Sequence, residues 1–487
     1  MSSEPRVVRP SSVVRVCITV LLVLLAGADR GLRAQQEASA PSDSPSGAGS
    51  ATGQQPPADP LEEPLDDLLQ EDDASRRRRA LDPELVPRRE HVASALTLSR
   101  GRDSGFLFAG EELDDDVYLV QPSLLLDRRP SARTNFLLAY EPEAQFFDRH
   151  PELDSVEHAA GLLVEHTTER RSELSFGGSL LDGEDPGRRL DTVLLLLPRT
   201  PYRQWRAWAG FEQRWQRTIA LFTLTRTDTR IDPAPGLFGS GIDRTEDTAA
   251  VTLTRSLARR LDLLTSYTYS RPTSSSAEGG LQGVLLPAAE PVQTFHLGLV
   301  RHLRPTLSLL VSGGAAESDG EVSALAALEL VRSGPDFNLR LRYDLSLLSL
   351  GLTPASGAAA PSTPPIIDTA FPESTSHVLG LDFELRPARR LRWVQSMRAT
   401  AAELPGNETL ESYSVVSRLV VEALPRLAPF IQGGLLDQSG SALFGDSFSR
   451  YHLTVGLVIG LSGPPDATGV RGRSPAFGRV LPSGRVY

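Results

Sequence analysis

Residues 337–347 read Phe-Asn-Leu-Arg-Leu-Arg-Tyr-Asp-Leu-Ser-Leu, with every odd position apolar and every even position polar or charged. A period of two sends the two sets to opposite faces of a β-strand, whereas a helix would smear them around its circumference. The polar set, Asn338, Arg340, Arg342, Asp344 and Ser346, demands a face that is wet or densely paired. Leucines on one face and charges on the other is the pattern of a strand that crosses a membrane in a closed barrel, apolar side to lipid and polar side to the lumen.

The same phrase recurs from 91 to 461: an alternating stretch, a tight connection, a second alternating stretch, a longer connection. Short connections are expected at 127–130, 169–172, 214–217, 256–260, 302–305, 333–336, 387–390 and 424–427, several marked by an Arg pair or Pro. Long ones, rich in Gly, Pro, Ser or Asp, fall at 183–201, 232–243, 272–291 and 351–372, and 317–320 is a tight turn on the long-loop side. Barrels of the outer membrane alternate in this way, with tight turns at the periplasmic end and loops outside. The count is eighteen strands, from 91–99, 117–126 and 132–145 through to 449–461; losing the first with a partner would leave sixteen. No helix-length amphipathic segment intervenes, and an open sheet of this size would leave bare edges. The predicted fold is all-β, a transmembrane antiparallel up-and-down β-barrel.

Composition fits. The 487 residues are 40% hydrophobic with a net charge of −11 and a mean hydropathy of −0.17. The chain has no apolar run of the roughly 18 residues a helical span needs. A barrel looks this polar because only every second strand residue meets lipid. Every basic residue is Arg, which fits GC-rich coding, and the acidic balance excludes the basic surface of a nucleic-acid binder. Cys17, the single cysteine, lies in the expected export signal, so the mature chain has neither disulfide nor thiolate metal site.

Residues 1–34 read as a Sec-type secretory signal: Arg6, Arg9 and Arg15, then an apolar stretch from 16 to 28 too short to span a bilayer, with cleavage expected after Ala34. Residues 35–90 are rich in Ser, Pro, Gly, Ala and Gln, then acidic, then basic through the four arginines from 76 to 79. Such a segment buries no core and is expected to be a disordered periplasmic linker, available to periplasmic proteins or cell-wall polymer. Residues 462–487 show no alternation and read as a periplasmic tail ending on Tyr487.

Charges at polar positions cluster late in the barrel. Glu329, Arg340, Arg342, Asp344, Asp382, Glu384, Arg386, Arg392 and Arg398 fall on four consecutive strands and are the pore-lining candidates. Ladders of charge set selectivity in an aqueous pore. The alternative is that they neutralise one another and brace a narrow or plugged interior, since dry burial of an unpaired charge costs several kcal/mol. Glu111, Glu112, Asp114, Asp115 and Asp116 are placed on the first outer loop; hard oxygen ligands suit calcium, but their spacing matches no EF-hand and a solvated acidic loop is expected. His158 and His166, about 27 Å apart along one strand, cannot share a metal. There is no nucleophile elbow or phosphate loop, so no catalytic residue, metal or cofactor is expected, and Asn407-Glu-Thr409 matches a sequon by chance. Tyr118, Tyr202, Trp205, Trp215, Trp393, Tyr413 and Tyr451 fall near strand ends, which suits an interfacial girdle and equally plain β-propensity.

The phrases Tyr140-Glu-Pro-Glu-Ala-Gln-Phe-Phe147, Arg189-Leu-Asp-Thr-Val193 and Pro201-Tyr-Arg-Gln204, with the pattern over 91–461, resemble bacterial outer-membrane β-barrel proteins of the uncharacterised porin type. That resemblance implies an outer-membrane location and a passive pore, and it brings no catalytic residues. The expected function is a porin-like channel for passive diffusion of small polar solutes, embedded in outer-membrane lipid. The alternative is a non-conducting structural or export-system-associated barrel.

Overall fold

The computed structural model describes residues 90–108, 111–169, 171–185, 199–232, 242–274, 291–318, 320–334, 336–349, 370–388, 390–404, 408–424, 426–439 and 448–462. The expected signal, the linker up to residue 89, most of the long loops, 189–193, Asn407 and the tail from 463 lie outside the described residues.

Eighteen strands follow in order: β1 (Glu90–Phe108), β2 (Glu111–Ser131), β3 (Thr134–Phe147), β4 (Ser155–Glu169), β5 (Ser172–Gly183), β6 (Tyr202–Arg214), β7 (Thr218–Ile231), β8 (Ile242–Ala258), β9 (Leu261–Ser274), β10 (Val292–Arg304), β11 (Leu307–Ser318), β12 (Glu321–Ser333), β13 (Phe337–Ser349), β14 (Ala370–Ala388), β15 (Leu391–Leu404), β16 (Glu408–Val421), β17 (Leu427–Ser439) and β18 (Phe448–Ser462). A 3-10 turn, Pro151–Leu153, joins β3 to β4. Every strand pairs antiparallel with its sequence neighbours, and β1 pairs with β18 from Ser94 opposite Ser462 to Ser104 opposite Tyr451, so the sheet closes. Eighteen strands at the usual spacing and tilt make a cylinder roughly 35 Å across at the backbone.

One contact fixes which face is inside. Arg450 on β18 reaches Asp185, just past β5, at 3.1 Å. Strands β1 to β4 stand between them along the wall, so the two meet across the interior. Directly paired residues of a ladder share a face, and the register carries this assignment around the ring. Inward go His452, Thr454, Asp103, Glu141, Glu143, Gln145, Arg340 and Arg342; outward go Leu453, Val455, Phe222, Leu224, Leu341 and Tyr343. Burial agrees: Glu143 is 2% and Gln145 1% exposed, while Leu453 and Val455 are 54% and 59% exposed. A soluble sandwich would show the reverse. The closed ring leaves no bare edge, and apolar side chains on its outer face are what lipid requires. Replacing Val455, midway along the apolar outer row of β18, with Arg is expected to cost about 2–4 kcal/mol of folding stability in vesicles. Asn338→Arg, on the inward row opposite Glu384, is expected to fold nearly as the parent does; urea titrations in lipid compare the two.

Three expectations need correction. The first hairpin is longer than the apolar pattern indicated: β1 ends at Phe108 and not near 99, and β2 begins at Glu111 and not near 117. Outward apolar residues run out at Leu98, but ion pairs between the two strands, Arg100–Asp116 at 3.0 Å and Arg102–Asp114 at 3.7 Å, carry the ladder on as a polar extension. Glu111 to Asp116 therefore belong to a strand, not an outer loop. Second, the turn expected at 127–130 lies at 132–133, with Pro130 accommodated at the end of β2. Third, Tyr202 is 3% exposed and sits on the inward row with Gln204, opposite Ile231, so it is no part of an outer girdle. Tyr118, Trp205, Trp393, Tyr413 and Tyr451 do face outward by register. The tight turn near 317–320 is present, with Gly320 at φ 77° where a side chain would be strained.

Candidate functional site

The interior wall of β12–β16 carries the densest charge. Register places Glu329 opposite Arg342, Arg340 opposite Asp382, Asn338 opposite Glu384 and Gly380 opposite Arg398. All nine candidates, including Asp344, Arg386 and Arg392, thus share the inward face. Most are engaged with one another. Arg340 Nη2 lies 3.0 Å from Glu329 Oε2, and Arg342 pairs with Asp344. Arg392 grips Glu384 with a fork of 2.8 and 3.1 Å, the two-point geometry that only a guanidinium supplies. Arg386 Nε donates to the same carboxylate at 3.2 Å, and Ser396 Oγ donates to Asp382 at 2.5 Å. Arg418 on β16 joins this wall, stacked 4.1 Å over the Phe430 ring; it had not been singled out in the sequence.

The opposite wall is acidic. Glu141 and Glu143 on β3, Glu157 on β4 and Asp115 on β2 are buried inward, and Glu143 stands directly opposite Glu157 in the ladder. Gln121 donates to Glu141 at 2.7 Å, Gln145 to Glu143 at 3.2 Å, and the Asp185 N–H to Glu157 at 3.3 Å. Asp115 accepts from the Arg149 and His150 N–H groups, both at 3.0 Å, and so holds the β3–β4 connection. The signal for this wall was present in the sequence. In Tyr140-Glu-Pro-Glu-Ala-Gln-Phe the acids alternate with apolar residues, the same period of two that marks β13.

Between these walls β7–β9 present hydroxyls: Thr225, Thr229, Thr248, Thr252, Thr268 and Ser270 are all buried. Trp208 lies flat on the inner wall over Gly177, where any Cβ would collide with its ring. At the long-loop end a buried clamp crosses the interior. Arg450 binds Asp103 at 3.0 and 2.7 Å and Asp185 at 3.1 Å. Asp185, two residues past β5, therefore stands off the wall. Before β6, Arg199 donates to the Leu153 carbonyl and Ser155 Oγ, both at 2.7 Å, and stacks 4.5 Å over Phe147.

No protein-family model matches the chain, and no curated protein matches it. Solved structures similar to this chain include three from Pseudomonas aeruginosa. OpdO is 11% identical, covering 76% of this chain and 98% of that one, with a TM-score of 0.41. OccK5 (OpdH) is 15% identical with the same coverages and TM-score. The siderophore receptor PirA is 10% identical over 77% of this chain and 81% of that one, with a TM-score of 0.39. Likeness at this level establishes no common family, and the fold rests on the chain's own strand register.

Proposed function

We propose that this chain is a bacterial outer-membrane pore for the passive diffusion of small polar solutes, with two opposed charged walls as its selecting element. The segregation of inward charge carries this reading. On β2–β4 the inward rows hold Asp115, Asp127, Glu141, Glu143, Glu157 and Glu165. On β13–β16 they hold Arg340, Arg342, Arg386, Arg392, Arg398 and Arg418 against Asp344, Asp382 and Glu384. Strands β4 and β13 are diametrically placed in the eighteen-strand ring, so the walls face each other across the axis. A transverse field of this kind orients dipolar and zwitterionic solutes and penalises apolar ones. The even strand number, and both ends of the barrel on the short-turn side, support an outer-membrane setting.

Planar-bilayer recording of the folded protein tests this. Stable open steps are expected; persistent silence from protein shown to be inserted would favour the alternative, a non-conducting structural barrel. The pairing of Arg340, Arg342 and Arg392 with Glu329, Asp344 and Glu384 is the observation on which that second reading rests.

A further inference from the structure

Four strands that run toward the short-turn end carry an arginine close to the end of the outward row, with Leu257 and Leu303 still following on two of them. Leu124 and Leu126 precede Arg128 on β2; Val251 and Leu253 precede Arg255 on β8; Leu297 and Leu299 precede Arg301 on β10; Leu328 and Leu330 precede Arg332 on β12. Two residues apart, each arginine lies on the same outer face as the leucines above it. The turns below add Arg133, Arg171, Arg217, Arg260, Arg390 and Arg426, all exposed. Among the described turn residues at this end the acids are Asp336 and Glu422. The barrel thus wears a basic collar at its short-turn end, interleaved with the last apolar residues of the belt, on a chain that is acidic overall.

We propose that this collar binds the phosphates of anionic phospholipid in the adjoining leaflet, with Arg255, Arg301 and Arg332 as its principal contacts. The inference rests on the membrane reading and not on conduction. Direction selects the occupant. These arginines lie on the lipid-facing rows, a placement from which an aliphatic stem follows apolar neighbours while its guanidinium reaches the headgroup level; the Arg332 guanidinium stands 5.6 Å over the Phe337 ring beside it. A guanidinium matches phosphate at two points and holds its charge at any physiological pH. The chain's own acidic stretch, residues 62–73, is the competing occupant, and its deletion below tests it. Each arginine near an anionic surface is expected to favour binding by about fivefold.

The test refolds the full chain from urea into phosphatidylcholine vesicles with and without phosphatidylglycerol, alongside the triple variant Arg255→Gln/Arg301→Gln/Arg332→Gln. The parent is expected to show a higher urea midpoint with phosphatidylglycerol, and the gain should shrink as salt rises above about 0.15 M. The triple variant should lose at least half of that gain while folding normally into phosphatidylcholine. Equal midpoints in both lipids, or a full gain in the triple variant, would overturn the collar and leave the pore untouched. A midpoint that ignores phosphatidylglycerol but moves when residues 62–73 are deleted would reassign the collar to that segment. Failure to fold into either vesicle would overturn the membrane reading itself.

Discussion

Arg450→Ala is expected to lower folding stability by about 3–5 kcal/mol, the cost of leaving buried charge without its partner. The side chain is buried between two carboxylates, Asp103 and Asp185, whose own side chains are 17% and 4% exposed. Its fork to Asp103 ties β18 to β1, the seam at which the barrel closes. Its third bond tethers the chain leaving β5. Removing it therefore weakens the closure and releases the tether together. Adding Asp103→Asn and Asp185→Asn to Arg450→Ala is expected to recover much of the loss, because neutral amides need no counter-charge. Arg450→Lys should recover less, since one ammonium cannot make the fork and reach Asp185 at once. Urea midpoints in lipid read all three variants, and a loss below about 1 kcal/mol would mean that the contact behaves like an exposed pair.

Reversing Arg340 and Arg342 to Glu is expected to change the ion preference of the pore. The nine candidates comprise five arginines and four acids; the double variant turns a slightly basic wall into a clearly acidic one facing the carboxylates of β2–β4. In a potassium chloride gradient the reversal potential should move toward cation preference. The exchange Arg340→Glu/Glu329→Arg, which keeps both the 3.0 Å pair and the net charge, should leave the potential near that of the parent. Identical potentials for the parent and the double reversal would show that ions do not pass this wall.

Alternation along the strands was enough to read the number of strands, their faces and their closure into a barrel, because lipid on one side and water on the other impose a period of two. Alternation failed where another force took over. Above the apolar belt of β1 and β2, cross-strand ion pairs continue the ladder through Arg100, Arg102, Asp114 and Asp116, so a polar stretch that reads as loop is strand. Residue type alone suits Tyr202 to a girdle, while its row with Gln204 turns it inward. The arginine-rich wall of β12–β15 was legible because its charges sit at clean polar positions of single strands. The Arg450 clamp was not, since its partners lie 347 and 265 residues away in the chain. Only closure of the ring brings them together. The opposition of the acidic and basic walls likewise needs the ring order, which no local window contains.

In a membrane barrel the odd positions of β13 touch acyl chains while the even positions touch water. With Cys17 the only cysteine, Cys17→Ser allows a single labelled cysteine at each position from 337 to 346 in turn. Spin-label accessibility in vesicles should alternate: oxygen dissolved in the bilayer reaches 337, 339, 341, 343 and 345, and an aqueous nickel complex reaches 338, 340, 342, 344 and 346. Odd positions shielded from both reagents, as in the core of a soluble sandwich, would contradict the membrane barrel.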